Sequence, residues 1–270
     1  MKRYRTALTI AGSDPSGGAG IQADLKTFAA LGVYGMAAIT ALTVQNTVRV
    51  KHVSGVAPQV VHDQIVTVME DIVPDAVKIG MVNDAATLEA IIHALEENRP
   101  RFLTVDPVMV STSGCNLMSN DALDMMRNRL LPLADIVTPN LPEAWTLSGT
   151  SESVEAAACN ILHFGAKAVL IKGGHADGDT KTDHLFYVNA FGDLAHLALE
   201  SDTVKTRNTH GTGCTLSSAI TAFAAQGRSL EDAVSSAKSY LHDALKAGAD
   251  VSIGHGHGPV NHFQFTIRNS

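Results

Sequence analysis

The sequence lacks several features that would place the protein in common functional classes. No apolar run reaches the roughly 18 residues that a membrane-spanning helix needs, and no stretch is rich in lysine and arginine. Its 27 acidic side chains outnumber the 20 basic ones, for a formal charge of -7. A protein that binds nucleic acid over a broad surface usually carries the opposite charge. The composition therefore argues against a membrane protein and against a nucleic-acid-binding protein.

Cysteine is also scarce. The three cysteines, Cys115, Cys159 and Cys214, are odd in number and far apart, which fits neither a disulfide framework nor a zinc site. The N-terminal segment is basic, as in a signal peptide, but the apolar residues 7–11 are fewer than the roughly 7–15 of an export signal. We therefore expect a first β-strand there, and a cytoplasmic protein with reduced thiols.

Short apolar runs alternate with helical segments along the chain, and unbroken apolar runs are typical of parallel strands buried on both faces. We predict strands at 5–11, 35–44, 76–81, 102–109, 135–140 and 168–174, and a hairpin within 183–199. We predict helices near 20–28 and at 58–72, 84–95, 120–130, 211–226 and 230–247, with a surface loop at 175–182. With 45% hydrophobic residues and no low-complexity linker, the sequence predicts one α/β domain over residues 1–270.

Polar residues follow most of the predicted strands. With Met81, these strand-end residues are Asp14, Gln45, Asn46, Asp106, Asn140, Glu143 and Lys172. Sheets of this kind bind ligands at the carboxyl ends of their strands. One such residue alone is usually a cap or a turn former, but the convergence of six or more indicates a binding site.

The segment 208–214 (NTHGTGC) stands before a predicted helix. Its glycines permit positive φ and close backbone approach, and free N–H groups at a helix N-terminus bind anions. Two interpretations stay open: a phosphate cradle, or a helix start capped by Thr212 or Thr215. A Walker P-loop is excluded because no Gly-Lys-Ser/Thr follows a glycine-rich loop, and no Gly-x-Gly-x-x-Gly occurs.

Eight segments occur in a characteristic order between residues 11 and 263. They are AGSDPSGGAGIQADLKT, TALTVQNT, VKIGM, VDPVM, TPNLPEA, IKGGH, NTHGTGC and GHGHGPVNHF. Together they resemble the hydroxymethylpyrimidine/phosphomethylpyrimidine kinases of thiamine biosynthesis, in the ribokinase-like superfamily. The resemblance implies a three-layer α/β/α sandwich with a mostly parallel central sheet, ATP with Mg²⁺ as phosphoryl donor, and a homodimer. It also implies one site that phosphorylates an alcohol first and then converts the monophosphate to a diphosphate.

The same resemblance assigns residues to the phosphoryl donor. Asn140, Lys172 and Thr212 match contacts to ATP, and Glu143 and Asp106 match ligands of the metal. Carboxylate and amide oxygens suit Mg²⁺, which typically keeps several waters. Without the resemblance, residues 140–144 would be interpreted as a helix start with an acidic first turn.

The resemblance also assigns residues to the acceptor. Gly211 and Gly213 match the anion hole for the transferred group. Gln45 matches a glutamine that binds the aminopyrimidine, because a carboxamide complements an amino donor beside a ring-nitrogen acceptor; the alternative is a Gln that fixes a loop backbone. The expected pocket walls are Gly12, Asp24, Met81 and Val108.

Cys214 stands where sugar kinases of the superfamily carry the presumed catalytic base. A helix N-terminus and the nearby His210, which we also expect to be catalytic, are expected to lower the pKa of its thiol; the alternative is an inert buried cysteine. A monophosphate with a second pKa near 6 needs no base. Cys214→Ala is therefore expected to harm phosphorylation of the alcohol more than that of the monophosphate. Segment 111–117 is hypothesised to close over the reaction.

Two other functions stay open. A pyridoxal kinase shares the superfamily, but pyridoxal lacks the aminopyrimidine edge that Gln45 complements. A non-catalytic pyrimidine sensor is disfavoured because the donor-site residues and the glycine turn are all present. His255, His257 and His262 lack the helical spacing of a metal-binding pair, so we interpret them as a loop near the nucleotide.

Overall fold

The computed structural model describes residues 3–82, 84–109, 120–174 and 178–264. The strands are β1 (Thr6–Ser13), β2 (Tyr34–Gln45), β3 (Val50–Gly55), β4 (Ala76–Ile79), β5 (Leu103–Val105), β6 (Ile136–Val137), β7 (Ala168–Ile171), β8 (Thr180–Val188) and β9 (Leu194–Asp202). The α-helices are α1 (Gly20–Ala30), α2 (Pro58–Asp71), α3 (Ala85–Glu97), α4 (Asn120–Met125), α5 (Leu141–Ser148), α6 (Val154–His163), α7 (Thr212–Ala225) and α8 (Leu230–Gly248). After α4 the chain continues through a π-helical turn (Met126–Leu130) and a 3₁₀ turn (Leu131–Leu133).

The described strands form one sheet. Its nine strands have the order β3-β2-β1-β4-β5-β6-β7-β8-β9. The pairs from β2 to β7 are parallel, whereas the pairs β2–β3, β7–β8 and β8–β9 are antiparallel. The predicted α/β fold with a mostly parallel sheet is confirmed.

Helices cover both faces of this sheet. Leu8 and Ile10 of β1 pack into a cluster with α2, α3 and α6. Ala7, which precedes Leu8, packs with α1 and α7 on the other face, and Leu170 of β7 packs with α7 and α8. Because successive side chains of a strand point to opposite faces, unbroken apolar runs supply both clusters, and the architecture has three layers.

Strand β3 and helix α6 have no counterpart among the predicted elements, and only the start of helix α5 was expected. Strand β3 has no fully buried side chain, so it lacks the apolar pattern that marks the parallel strands. Helices α5 and α6 are short, with 8 and 10 residues, and each begins at a polar cap. The predicted loop at 175–182 is wrong in part, because β8 begins at Thr180 in an antiparallel ribbon at the sheet edge, where polar side chains meet solvent.

Two further findings concern expectations from the sequence. Among the described residues, no helix combines the length and the apolar character needed to cross a bilayer. The segment 111–117, hypothesised to close over the site, lies outside the residues that the structure describes.

Candidate functional site

A cavity of about 840 Å³ opens at the carboxyl edge of the parallel strands. The site residues predicted from the sequence that line it are Gly12, Gln45, Met81, Asp106, Val108, Asn140, Glu143, Lys172, His210, Gly211, Thr212, Gly213 and Cys214. They come from seven strand ends or loops and from the start of α7. The structure therefore brings together residues that are up to two hundred positions apart in the chain.

Helix α7 begins at the wall of this cavity. Its N-cap is Gly211, with φ +77°, and no side chain caps the helix. A Cβ at Gly211 would lie 1.8 Å from the carbonyl oxygen of Gly18, so the loop before α1 fits only against a glycine. Thr215 donates to the Gly211 carbonyl (2.8 Å) instead of capping. The Thr212 N–H donates to the Thr209 carbonyl (3.3 Å). The next N–H groups, those of Gly213 and Cys214, have no acceptor within the helix and are suited to an anion.

A buried ion pair lies beside this helix start. The Lys172 Nζ atom is 2.9 Å from Asp106 Oδ1, and a Cβ at Gly213 would lie 3.4 Å from the same Nζ atom. Burial alone would lower the pKa of Lys172, but the charges of Asp106 and Glu143 raise it above its ordinary value. The ammonium therefore stays charged next to the amides of α7.

Asn140 and Glu143 form the start of α5. The Asn140 side chain accepts from the Glu143 N–H (2.9 Å), and the Glu143 carboxylate accepts from the Asn140 N–H (2.8 Å). The helix start expected from the sequence is confirmed, and both side chains line the cavity. Burial raises the pKa of Glu143, against the opposing charge of Lys172.

These oxygens fit a metal ion held mainly through other ligands. The described residues contain no group of three or more His, Cys, Asp or Glu side chains that could hold a metal by itself. Asp106 already binds Lys172 and, through Oδ2, the Ser217 hydroxyl (3.1 Å). These carboxylate and amide oxygens already accept hydrogen bonds from protein groups, so few remain as direct metal ligands. Such a set suits Mg²⁺, which keeps several waters and binds phosphate oxygens of the substrate.

The structure corrects the expectation for the Cys214 thiol. Cys214 is half-buried, and burial raises the pKa of its thiol to about 11, although the charge of Lys78 opposes the rise. His210 does not contribute, because its Nε2 atom binds the Asp14 carboxylate at 2.8 Å. Desolvation of the thiolate is the largest cause of this shift, so the thiol is protonated at neutral pH.

The structure also corrects the assignment of Asp24. Asp24 is fully buried and is absent from the described lining of the cavity. Its carboxylate binds Lys78 Nζ (2.7 Å) and accepts from Ser218 Oγ (2.7 Å) and Thr9 Oγ1 (2.6 Å). These bonds join β1, α1, β4 and α7, so Asp24 fixes elements beneath the cavity rather than forming its wall.

The acceptor end of the cavity combines an apolar wall with an amide. A Cβ at Gly12 would lie 2.4 Å from Met81 Cε, so the Met81 side chain lies directly on the glycine backbone. The Gln45 side chain stands at the end of β2, with its Nε2 atom 3.3 Å from His210 Nε2. This end suits a flat ring with a polar edge.

Two important residues were not assigned from the sequence. Asp14 accepts from the N–H groups of Ser16 (2.8 Å) and Ala19 (2.9 Å) and shapes the loop before α1; it appeared only among the strand-end residues. Lys78 is fully buried. The presence of a lysine within the apolar strand β4 was the feature of the sequence from which a buried charged residue could have been predicted. A charged residue within an apolar strand is rarely buried without a partner.

The three histidines near the C-terminus lie outside the described lining of the cavity. His262 is buried, with Nε2 3.2 Å from Thr215 Oγ1. Burial, with a smaller effect of Lys26, lowers its pKa to about 4, so it is neutral at pH 7. His257 Nδ1 lies 3.1 Å from the Arg207 carbonyl. The bonds indicate a structural loop next to the first turn of α7.

Comparisons with known proteins agree with this site. The family model described as phosphomethylpyrimidine kinase matches residues 14–261. The hydroxymethylpyrimidine/phosphomethylpyrimidine kinase of Rhizobium meliloti (strain 1021) is 50% identical over 262 residues, which cover 95% of this chain and 96% of that protein. The Escherichia coli (strain K12) protein of the same name is 44% identical over 268 residues, with 97% and 98% covered.

A solved structure is also similar. The pyridoxal kinase from Staphylococcus aureus in complex with AMP-PCP and pyridoxal has a TM-score of 0.86 and 37% identity, and the match covers 98% of this chain and 95% of that one. The relatives named for the pyrimidine are more similar in sequence than this one. The resemblance inferred from the eight segments is confirmed: the chain belongs to the phosphomethylpyrimidine kinase family.

Proposed function

We propose that the protein uses ATP to phosphorylate 4-amino-5-hydroxymethyl-2-methylpyrimidine and then its monophosphate, in thiamine biosynthesis. The observation that carries the proposal is one cavity with an anion cradle at one side and a carboxamide at the other. Gly211 and Gly213 form the cradle with Lys172, and Gln45 supplies the carboxamide. A kinase for a small polar ring requires this combination.

On the donor side, the γ-phosphoryl group of ATP lies at the start of α7. The amides of Gly213 and Cys214 and the Lys172 ammonium neutralise the charge that spreads over the migrating group, and such positioning supplies most of the catalysis in phosphoryl transfer. Thr212 belongs to the same first turn. When bound, Mg²⁺ supplies further neutralisation of the phosphates, and Glu143 and Asn140 would hold it with Asp106 through water.

On the acceptor side, the hydroxymethyl oxygen lies beside Cys214. Burial raises the pKa of the thiol to about 11. The thiol is therefore protonated at neutral pH and does not act as a general base. The dissociative character of phosphoryl transfer makes full deprotonation of the alcohol unnecessary. We infer that Cys214 positions the acceptor oxygen and fills the space next to it.

Cys214→Ala is expected to lower kcat/KM by a similar factor, about tenfold, for the alcohol and for the monophosphate. A positioning thiol contacts either acceptor oxygen, and one lost contact of about 1.4 kcal/mol is a factor of ten. The measurement is a coupled kinase assay with each acceptor, and Cys159→Ser, at an exposed cysteine, is the control. A loss confined to the alcohol would instead support the general-base role expected from the sequence.

A pyridoxal kinase is the second candidate, favoured by the likeness to the Staphylococcus aureus enzyme bound to pyridoxal. ATP consumption with hydroxymethylpyrimidine, its phosphate and pyridoxal, measured side by side, tests both candidates. We expect the two pyrimidines to be the better substrates. A higher kcat/KM for pyridoxal would reverse the assignment, and binding without ATP consumption would indicate a sensor.

We further propose that residues 1–270 fold as one domain and act as a homodimer in the cytoplasm. The family resemblance supports the dimer, and the scarcity of cysteine supports a reducing compartment. Light scattering on the purified protein measures the oligomeric state.

A further inference from the structure

His210 lies between the phosphate cradle and the acceptor end of the cavity, and its surroundings fix its ring. Its backbone N–H donates to the Gly258 carbonyl (3.1 Å). A Cβ at Gly18 would lie 2.4 Å from His210 Cδ2, so the loop before α1 packs directly on the ring edge. The Nε2 atom contacts Asp14 Oδ2 (2.8 Å) and the Gln45 carboxamide (3.3 Å).

The Nε2 atom of this ring carries a hydrogen. Asp14 accepts from the Ser16 N–H and hydroxyl (2.8 and 2.6 Å) and from the N–H groups of Gly18 (3.1 Å) and Ala19 (2.9 Å). Although burial would raise the pKa of Asp14, hydrogen bonds from His210 and Ser16 hold it well below its ordinary value. An ionised carboxylate only accepts hydrogen bonds, so the ring nitrogen 2.8 Å from it carries a hydrogen.

This proton has a consequence for Gln45. With the Gln45 Nε2 atom toward His210, two donors face each other, the Gln45 NH₂ group and the His210 N–H. A half-turn of the carboxamide places its oxygen there instead, where it is a second acceptor, beside Asp14, for the single Nε2 hydrogen in a three-centre bond. A carbonyl oxygen has two lone pairs, so the second remains free for the ligand, and the NH₂ group is directed to the same side.

We propose that His210, held by Asp14, is a specificity-determining residue that fixes the orientation of the Gln45 carboxamide. In that orientation Gln45 accepts from an exocyclic amino group and donates to the adjacent ring nitrogen. The inference rests on the proposed function, because it takes the ligand to be an aminopyrimidine. His210 thereby acts through Gln45, and not on the Cys214 thiol as the sequence suggested.

The fixed orientation matters because a carboxamide that is free to turn can exchange the positions of its C=O acceptor and its NH₂ donor. A half-turn would let it bind a 4-oxo pyrimidine, which presents an acceptor beside a ring N–H, as well as the 4-amino compound. With the Gln45 oxygen held in place, it would face the oxygen of the oxo compound, and the Gln45 NH₂ group would face the ring N–H. Neither pair can form a hydrogen bond, and a site whose buried polar groups are left unpaired rejects a ligand strongly.

The test compares kcat/KM for the 4-amino alcohol and its 4-oxo analogue in three variants. His210→Gln keeps an N–H donor near the position of Nε2, and His210→Phe removes it. His196→Phe, the control, changes an exposed histidine on β9 that is outside the described lining of the cavity. We expect the wild type, His210→Gln and His196→Phe to prefer the amino compound strongly. In His210→Phe the preference falls about tenfold or more, mainly through a lower KM for the oxo compound, which the freed carboxamide can then bind.

Equal preference in His210→Phe and the wild type would overturn the inference, as would an equal loss in His210→Gln and His210→Phe. If His210→Phe does not fold, ¹⁵N NMR of the histidine rings in the wild-type protein decides: a His210 Nε2 atom without a proton contradicts the inference, and a protonated one supports it. Failure of the proposed function gives a different result, because the wild type would then phosphorylate neither pyrimidine.

Discussion

Lys78→Met is expected to lower the free energy of unfolding by about 3–5 kcal/mol, the usual cost of removing one partner of a buried ion pair. Lys78 and Asp24 are both fully buried, with Nζ and Oδ1 2.7 Å apart. Without the ammonium, the donors that remain to the Asp24 carboxylate among the described residues are the hydroxyls of Thr9 and Ser218. A buried charge without a counter-charge destabilises the fold far more than the lost contact itself.

Urea denaturation of the purified variants measures this effect, and the chain offers a matched control. Lys167 pairs with Asp135 at 2.6 Å, but its side chain is 64% exposed, so Lys167→Met is expected to cost at most about 1 kcal/mol. The double variant Asp24→Asn with Lys78→Met is expected to recover much of the loss, because no unpaired charge remains. A loss in Lys78→Met no larger than that in Lys167→Met would refute this account of the pair.

The second large effect concerns activity. Gly211→Ala is expected to lower kcat by about 10²–10³-fold, the usual range for losing one preorganised donor to the transferring group. The new methyl group would meet the Gly18 carbonyl oxygen at 1.8 Å. A backbone atom cannot move aside as the end of a flexible side chain can. The helix start and the loop before α1 must then separate, which displaces the amides of the cradle.

Gly192→Ala separates this effect from simple backbone strain. Gly192 has φ +87°, similar to the +77° of Gly211, but a Cβ there meets nothing within 4 Å. Gly192→Ala should lose about 1–2 kcal/mol of stability from the left-handed conformation. Gly211→Ala should lose more, because the backbone clash adds to the same strain, as thermal unfolding will show, and only Gly211→Ala loses activity. Equal kcat values in the two variants would show that the cradle does not depend on this close approach.

Much of the fold and the site was predictable from the sequence, because both depend on local patterns. Unbroken apolar runs marked the buried parallel strands, and polar residues at their ends, such as Gln45 and Lys172, marked the cavity edge. The glycines around Gly211 marked a turn that needs positive φ. Each of these signals lies within a few neighbouring residues, where sequence reasoning is strong.

The remainder depends on contacts between distant segments. The pKa of Cys214 was expected to fall, but burial among residues from four elements raises it. Asp24 follows the loop before α1 and matched a pocket residue by position, yet it pairs with Lys78 from another strand. Strand β3 lacks an apolar pattern and is defined by its pairing with β2. None of these three features can be predicted from the residues that are adjacent in the sequence.

The direction of β1 has a practical consequence. The strand starts at Thr6 and reaches the cavity only at its far end, near Asp14. A reporter or a solid support tethered ahead of Arg3 is therefore held on the side of the molecule away from the mouth. Towards the other end of the described chain, the Gly258 carbonyl accepts from the His210 N–H and His262 contacts Thr215, so substitutions at these two residues would disturb the start of α7.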